Sequence, residues 1–133
     1  MNKIKGVITA VESSPNISLV DIEAYGKRFS SLIIDTPANA AYLTPGKEVY
    51  VLFKESEVSI AKGRTGLISM NNVLEVTVSK LSKGDVLARL ELDFAGVPVV
   101  SVITTRSAER LGLQAGDKVE ALVKSNEITL MEA

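Results

Sequence analysis

The sequence predicts an all-β protein of two tandem OB-like five-stranded β-barrel modules, each with one short helix between strands three and four. Three observations predict it. Displaced by 70 residues, the 133-residue chain lies on itself without a gap, with 11 identities in 63 aligned positions; unrelated sequences would give about a third as many. Apolar and charged residues alternate with the period of two that marks half-buried strands. Turn residues recur at matching places in both halves, as at Gly26 and Gly96 or Gly46 and Gly116. The identities include Asn2/Asn72, Ser31/Ser101, Leu43/Leu113, Val49/Val119 and Lys54/Lys124. The modules are therefore expected at 1–62 and 67–133.

Each repeat reads as three strands, a helix and two strands. The first strand of repeat one opens with alternating residues, Asn2-Lys3-Ile4-Lys5-Gly6-Val7. In the second strand of repeat two, Arg89, Glu91 and Asp93 alternate with Leu90, Leu92 and Phe94; Val20 to Ala24 repeats the pattern. Gly26 and Gly96 follow at a hairpin position that favours positive φ. The third strands, Phe29 to Ile34 and Val99 to Thr104, are apolar on both faces, which suits a strand covered on two sides. A helix follows. Thr36 and Pro37 suit its start in repeat one, and Gly112 suits its end in repeat two. Pro45-Gly46 and Ala115-Gly116 turn the chain into the fourth strands, 48–54 and 118–124. These place Val49, Val51 and Phe53, and Val119, Ala121 and Val123, inward. A tight break precedes the short fifth strands at 58–60 and 128–130. The connector Ala61-Lys62-Gly63-Arg64-Thr65-Gly66 reads as an exposed linker.

Composition narrows the chemistry. With 15 basic and 16 acidic residues the net charge is −1, so no overall field attracts nucleic acid or an anionic membrane. There is no cysteine and no histidine. This excludes disulfides, thiol catalysis and Cys-ligated metals, and removes the commonest general base and zinc ligand. No Ser-His or Cys-His constellation exists, so the protein is not read as an enzyme, and no covalent cofactor is expected. No apolar run reaches the length of a membrane span, and the start lacks the apolar core of a signal peptide. No membrane partner is expected, and the expected location is cytoplasmic.

Several stretches resemble the Mop module of the molbindins, a TOBE-like molybdate-binding family. Ser69-Met70-Asn71-Asn72-Val73-Leu74 is similar to its opening Ser-Ala-Arg-Asn-x-Leu segment. Ile103-Thr104-Thr105-Arg106-Ser107-Ala108-Glu109-Arg110-Leu111-Gly112-Leu113 is similar to its helix motif, Ile-Thr-x-x-Ser-x-x-x-Leu-Gly-Leu. Ala115-Gly116-Asp117-Lys118-Val119 and Ala121-Leu122-Val123-Lys124-Ser125 are similar to its closing strand and turn. Repeat one follows the same frame more loosely.

The resemblance implies a ligand, the oxyanion molybdate or tungstate, bound between modules of a homo-oligomer, by family likeness a trimer, with a dimer as the alternative. The implied contacts in repeat two are hydroxyls of Ser69, Thr104, Ser107 and Ser125, backbone N–H groups at Met70 and Asn71, and the charge of Lys124, with the helix N-terminus adding partial positive charge. Lys54, Ser56 and Arg106 are weaker candidates. The family's arginine is Asn71 here, and Arg106 compensates only if it points inward. Repeat one starts at Met1, has Ile34 in place of Thr104, and carries Asp35, which would repel an anion. Complete sites are therefore expected mainly from repeat two.

Plainer readings stand beside these. Lysines at strand ends are commonly solvated, Ser107 serves equally as a helix cap, and Ser125-Asn126 suits any turn. A sensing module acting through a protein partner fits the same sequence. An OB-type nucleic-acid module fits less well, because the chain has no tryptophan and its strands carry acidic faces.

Overall fold

The computed structural model describes all 133 residues, Met1–Ala133. The expected strands all form. They are β1 (Asn2–Ser14), β2 (Ile17–Ala24), β3 (Lys27–Ile33), β4 (Glu48–Phe53) and β5 (Ser59–Ala61) in repeat one. Repeat two supplies β6 (Asn72–Lys83), β7 (Leu87–Phe94), β8 (Val97–Thr104), β9 (Lys118–Val123) and β10 (Thr129–Glu132). Helix α1 (Thr105–Arg110) follows β8, and single 3₁₀ turns occupy Glu55–Glu57 and Ser125–Glu127.

The strands form two five-stranded antiparallel sheets, ordered β10-β4-β1-β2-β3 and β5-β9-β6-β7-β8. The repeats thus exchange their fifth strands. One compact unit comprises Met1–Phe53 with Lys124–Ala133, and the other comprises Lys54–Val123. The boundaries 1–62 and 67–133 describe repeats in sequence. The units in space differ from them by the pieces beginning at Lys54 and Lys124. Repetition alone does not reveal this, because β5 and β10 are equivalent strands and either satisfies the edge of β4 or β9.

The shared residues of the repeats now have physical reasons. Ser31 Oγ donates to Ile128 O at 2.8 Å and Ser101 Oγ donates to Val58 O at 2.7 Å. Both serines are fully buried. Each bond ties the third strand to the residue just before the fifth, so it brings the two edges of a sheet together. In the β2–β3 hairpin Tyr25 and Gly26 both have positive φ, 51° and 76°; Ala95 and Gly96 repeat this at 49° and 86°. Two residues with that handedness make the tight turn whose twist matches the strands. The long β1 and β6 each carry a register shift, between Ile8 and Ala10 and between Val78 and Lys80. Such a bulge bends a strand, so β1 pairs with both β2 and β4. Gly46 N–H closes the bend on Ile8 O at 2.8 Å, and Gly116 N–H on Val78 O at 2.7 Å.

Each core is filled from the alternating faces, with Phe29, Ile22 and Phe53 buried in one unit and Leu74, Leu90 and Leu92 in the other. The outward residues of the third strands are only partly covered. Leu32 is 39% exposed, and Val100 and Val102 are half-buried.

One expectation needs correction. The helix between strands three and four forms only in repeat two. There Thr104 Oγ1 accepts the Ser107 N–H at 3.1 Å and caps α1. At the equivalent places repeat one has Ile34, which offers no oxygen, and Pro37, which has no N–H to offer. Residues 36–42 form turns instead, in which Thr36 N–H donates to Asn39 Oδ1 at 2.9 Å. The connector after β5 is largely exposed, as expected, and is also anchored to the sheet. Lys62 Nζ binds Asp117 Oδ2 at 3.1 Å and Gly112 O at 3.0 Å, and Arg64 grips Glu120 through two bonds of 2.8 and 3.1 Å.

The Asp117 carboxylate accepts the Gln114 N–H at 3.0 Å. That bond, and then Lys62, holds its pKa below the usual value. A lowered folded pKa contributes stability above the unfolded pKa that is lost as pH falls through the folded one. Thermal melts of the protein and its Asp117→Asn variant are expected to differ at neutral pH and to converge as pH falls below about 4. A constant difference down to pH 3 would refute this.

Candidate oxyanion-binding site

Thr104 and Ser107 form one constellation. Thr104 is the last residue of β8 and the N-cap of α1. Its Oγ1 accepts the Ser107 N–H and donates to Ser107 Oγ at 2.9 Å. The cap is therefore Thr104 and not Ser107. The Thr104 hydroxyl thus uses its proton on Ser107 Oγ. Arg106 stands on the same turn and lines, with Thr104, Asp85 and Val86, a cleft of about 350 Å³.

Ser69, Met70 and Asn71 lead into β6. Asn72, which the repeat comparison marked and the ligand reading passed over, is fully buried and donates Nδ2 to Val123 O at 3.0 Å. Its pairing with Val123 fixes where the Ser69–Asn71 segment meets the sheet. Lys124 continues the chain directly from Val123 and is exposed. It precedes the turn Ser125–Glu127 with φ −66° and ψ 145°. Lys54 precedes the turn Glu55–Glu57 with nearly the same angles, φ −71° and ψ 147°. Strand exchange redistributes these residues: Lys54 and Ser56 belong to the unit that holds Thr104 and Ser107, whereas Lys124 and Ser125 belong to the other.

The candidates also divide along β6. Leu87, just beyond the far end of β6, pairs with Thr104. Asn72 begins the same strand and Lys83 ends it, a path of up to about 36 Å at 3.3 Å per residue. Within one unit, the Thr104–Ser107 turn and the Ser69–Asn71 segment therefore lie at opposite ends of one strand. Within the unit, Arg106 stands at the other end of β6 from Asn71, where the family's arginine is missing.

The sequence profile of the TOBE domain matches residues 68–130. That stretch contains all of Ser69, Met70, Asn71, Thr104, Ser107, Lys124 and Ser125. The chain is 33% identical over 123 residues to the molybdenum-pterin-binding protein MopA of Rhodobacter capsulatus, covering 91% of this chain and 45% of that one. It is 30% identical over 123 residues to the molybdenum import ATP-binding protein ModC of Rhizobium etli, covering 92% of this chain and 32% of that one. It therefore spans about a third to a half of the length of these curated relatives. The crystal structure of the cytoplasmic molybdate-binding protein ModG, in a form with molybdate bound, superposes with a TM-score of 0.91 at 26% identity. The superposition covers 99% of this chain and 96% of that one.

The chain belongs to the Mop-type TOBE family.

It carries two Mop modules in tandem, and the profile match runs into β10 although that strand pairs with β4. A Mop repeat in sequence and a compact unit in space are thus different sets of residues here. The two modules are also unequal at the capped turn, which only repeat two retains. No helix is long and apolar enough to cross a membrane.

Proposed function

We propose that the protein binds molybdate or tungstate and serves in its cytoplasmic storage or homeostasis. The observation that carries this reading is the Thr104–Ser107 hydroxyl pair, set in a Mop fold that matches a molybdate-binding protein over nearly its whole length. A tetrahedral dianion needs several converging donors and some positive charge. Hydroxyls at Thr104 and Ser107 supply donors at one end of β6. Ser69 and the backbone N–H groups of Met70 and Asn71 supply them near the other, and Lys124 and Ser125 belong to the second unit. Because one unit holds these sets apart, the site is completed between subunits of a homo-oligomer. A closed trimer satisfies every copy alike. Arg106 contributes charge at the capped turn. Lys54, whose backbone repeats that of Lys124, and Ser56 form a second and weaker class of site.

Calorimetric titration with molybdate, repeated in excess sulfate, tests the reading. Binding is expected to survive sulfate, since a rigid pocket leaves donors unpaired around the smaller anion. Lys124→Ala is expected to lower affinity by about tenfold, as for loss of one charged hydrogen bond. Affinity is expected to stay nearly constant between about pH 6 and 8, because the chain has no histidine to titrate there. Absence of binding, or a steep fall across that window, would overturn the ligand set.

A further inference from the structure

The hydroxyl pair stands on a turn that is fastened to a neighbouring hairpin. Thr105 is buried, and its Oγ1 donates to Gly84 O at 2.8 Å. Its backbone N–H donates to Val86 O, also at 2.8 Å. Residues Gly84, Asp85 and Val86 connect β6 to β7, and Gly84 N–H closes that connection on Leu87 O at 2.8 Å. The cleft lined by Thr104 and Arg106 has Asp85 and Val86 as its other lining.

We infer that Thr105 is a positioning residue for the oxyanion and that the hairpin end Gly84–Val86, which it holds in place, is the second wall of the ligand cleft. The inference rests on the oxyanion reading above. The first N–H groups of a helix have no partner within it. At Thr105 that group is consumed by Val86 O, so the turn offers the ligand side-chain hydroxyls rather than this N–H. One residue thereby fixes the turn to the hairpin twice, through main chain and side chain, and the β-branch restricts its rotamers. Repeat one shows what accompanies loss of the device. Asp35 stands where Thr105 does and has no hydroxyl to give, and the following residues form turns rather than a capped helix. Asp85 has a role in this arrangement. Its carboxylate, in the cleft with Arg106, opposes a dianion and trims affinity.

The test titrates the full chain and its Thr105→Val, Thr105→Ser, Ser101→Ala and Asp85→Asn variants with molybdate, with melting temperatures recorded in parallel. If the unaltered protein takes up no molybdate, the oxyanion reading fails whatever Thr105 does. If it binds, Thr105→Val is expected to lose about tenfold in affinity and Thr105→Ser to recover it. Ser101→Ala breaks a buried side chain–carbonyl bond of the same kind in the same unit, away from the cleft. It is expected to lower the melting temperature and leave affinity unchanged. Asp85→Asn, on an exposed hairpin, is expected to tighten binding by about two- to fivefold at low salt, the scale of an exposed charge interaction. Wild-type affinity in Thr105→Val, or an equal loss in Ser101→Ala, would overturn the positioning role. Unchanged affinity in Asp85→Asn would overturn the hairpin as a wall, including in the case where Thr105→Val does not fold.

Discussion

Replacing Ser107 with alanine is expected to weaken molybdate binding by about tenfold to a hundredfold, the range for a hydrogen bond to a charged partner, while barely changing the melting temperature. The asymmetry follows from the geometry of the capped turn. The Ser107 N–H, not its hydroxyl, completes the helix cap on Thr104 Oγ1, and alanine keeps that N–H. The Ser107 hydroxyl receives the Thr104 proton, and its own proton is free for a ligand. Replacing Thr104 with valine removes both functions. It should cost about 1 kcal/mol of stability, as for loss of a typical cap, and should reduce binding at least as much as Ser107→Ala. Wild-type affinity in Ser107→Ala would mean that its hydroxyl is not a ligand. A Thr104→Val protein that melts earlier yet binds normally would reduce this turn to a structural cap.

Gly6→Val is expected to destabilise the protein by about 3 kcal/mol, toward the upper end for overpacking a close-packed core. Repeat two carries Val76 at the equivalent place, buried to 4% exposure, so the substitution only copies one module into the other. A Cβ at Gly6 would nevertheless meet Ile22 Cγ2 at 2.7 Å, the Glu23 carbonyl oxygen at 2.8 Å and Ala24 Cβ at 3.0 Å. One of these is backbone and cannot rotate away. Gly6 stands one step before the Val7–Glu23 pair, and Val76 one step before Thr77–Asp93. The small pair Gly6 and Ala24 in one unit therefore answers the large pair Val76 and Phe94 in the other. Urea unfolding that leaves Gly6→Val within 0.5 kcal/mol of the parent, about the scatter of neutral surface changes, would show that β1 can move away from β2.

The strands were legible because alternation is local and each strand buries one face. Leu90, Leu92 and Phe94 needed only their own spacing to be placed inward. The hairpin at Gly96 was legible for the same reason, since a two-residue turn with positive φ restricts sequence. The absent helix of repeat one hung on two residues read the wrong way. Thr36 and Pro37 look like a start signal, but the decisive cap lies at the place of Ile34, two residues earlier. The exchange of β5 and β10 was not legible, because a strand of three or four residues carries no mark of which of two equivalent edges it joins. For the same reason the grouping of Lys124 and Ser125 with Thr104 and Ser107 could be made in sequence yet not in one unit. Thr105 was passed over because its partners, Gly84 O and Val86 O, are carbonyls, and a carbonyl acceptor leaves no signature in residue type.

Exchange of the fifth strands also governs how the chain comes into being. The unit built on Met1–Phe53 receives its edge strand from Thr129–Glu132, so it is finished only after that distant strand has been made. The usual order, in which an N-terminal domain folds while the rest is still being made, is closed to it. Its contacts between β4 and β10 are long-range in sequence, which slows folding. A break in the connector would part each unit from the strand that now finishes it, and each half would be left to close its fourth strand with the fifth strand of its own repeat.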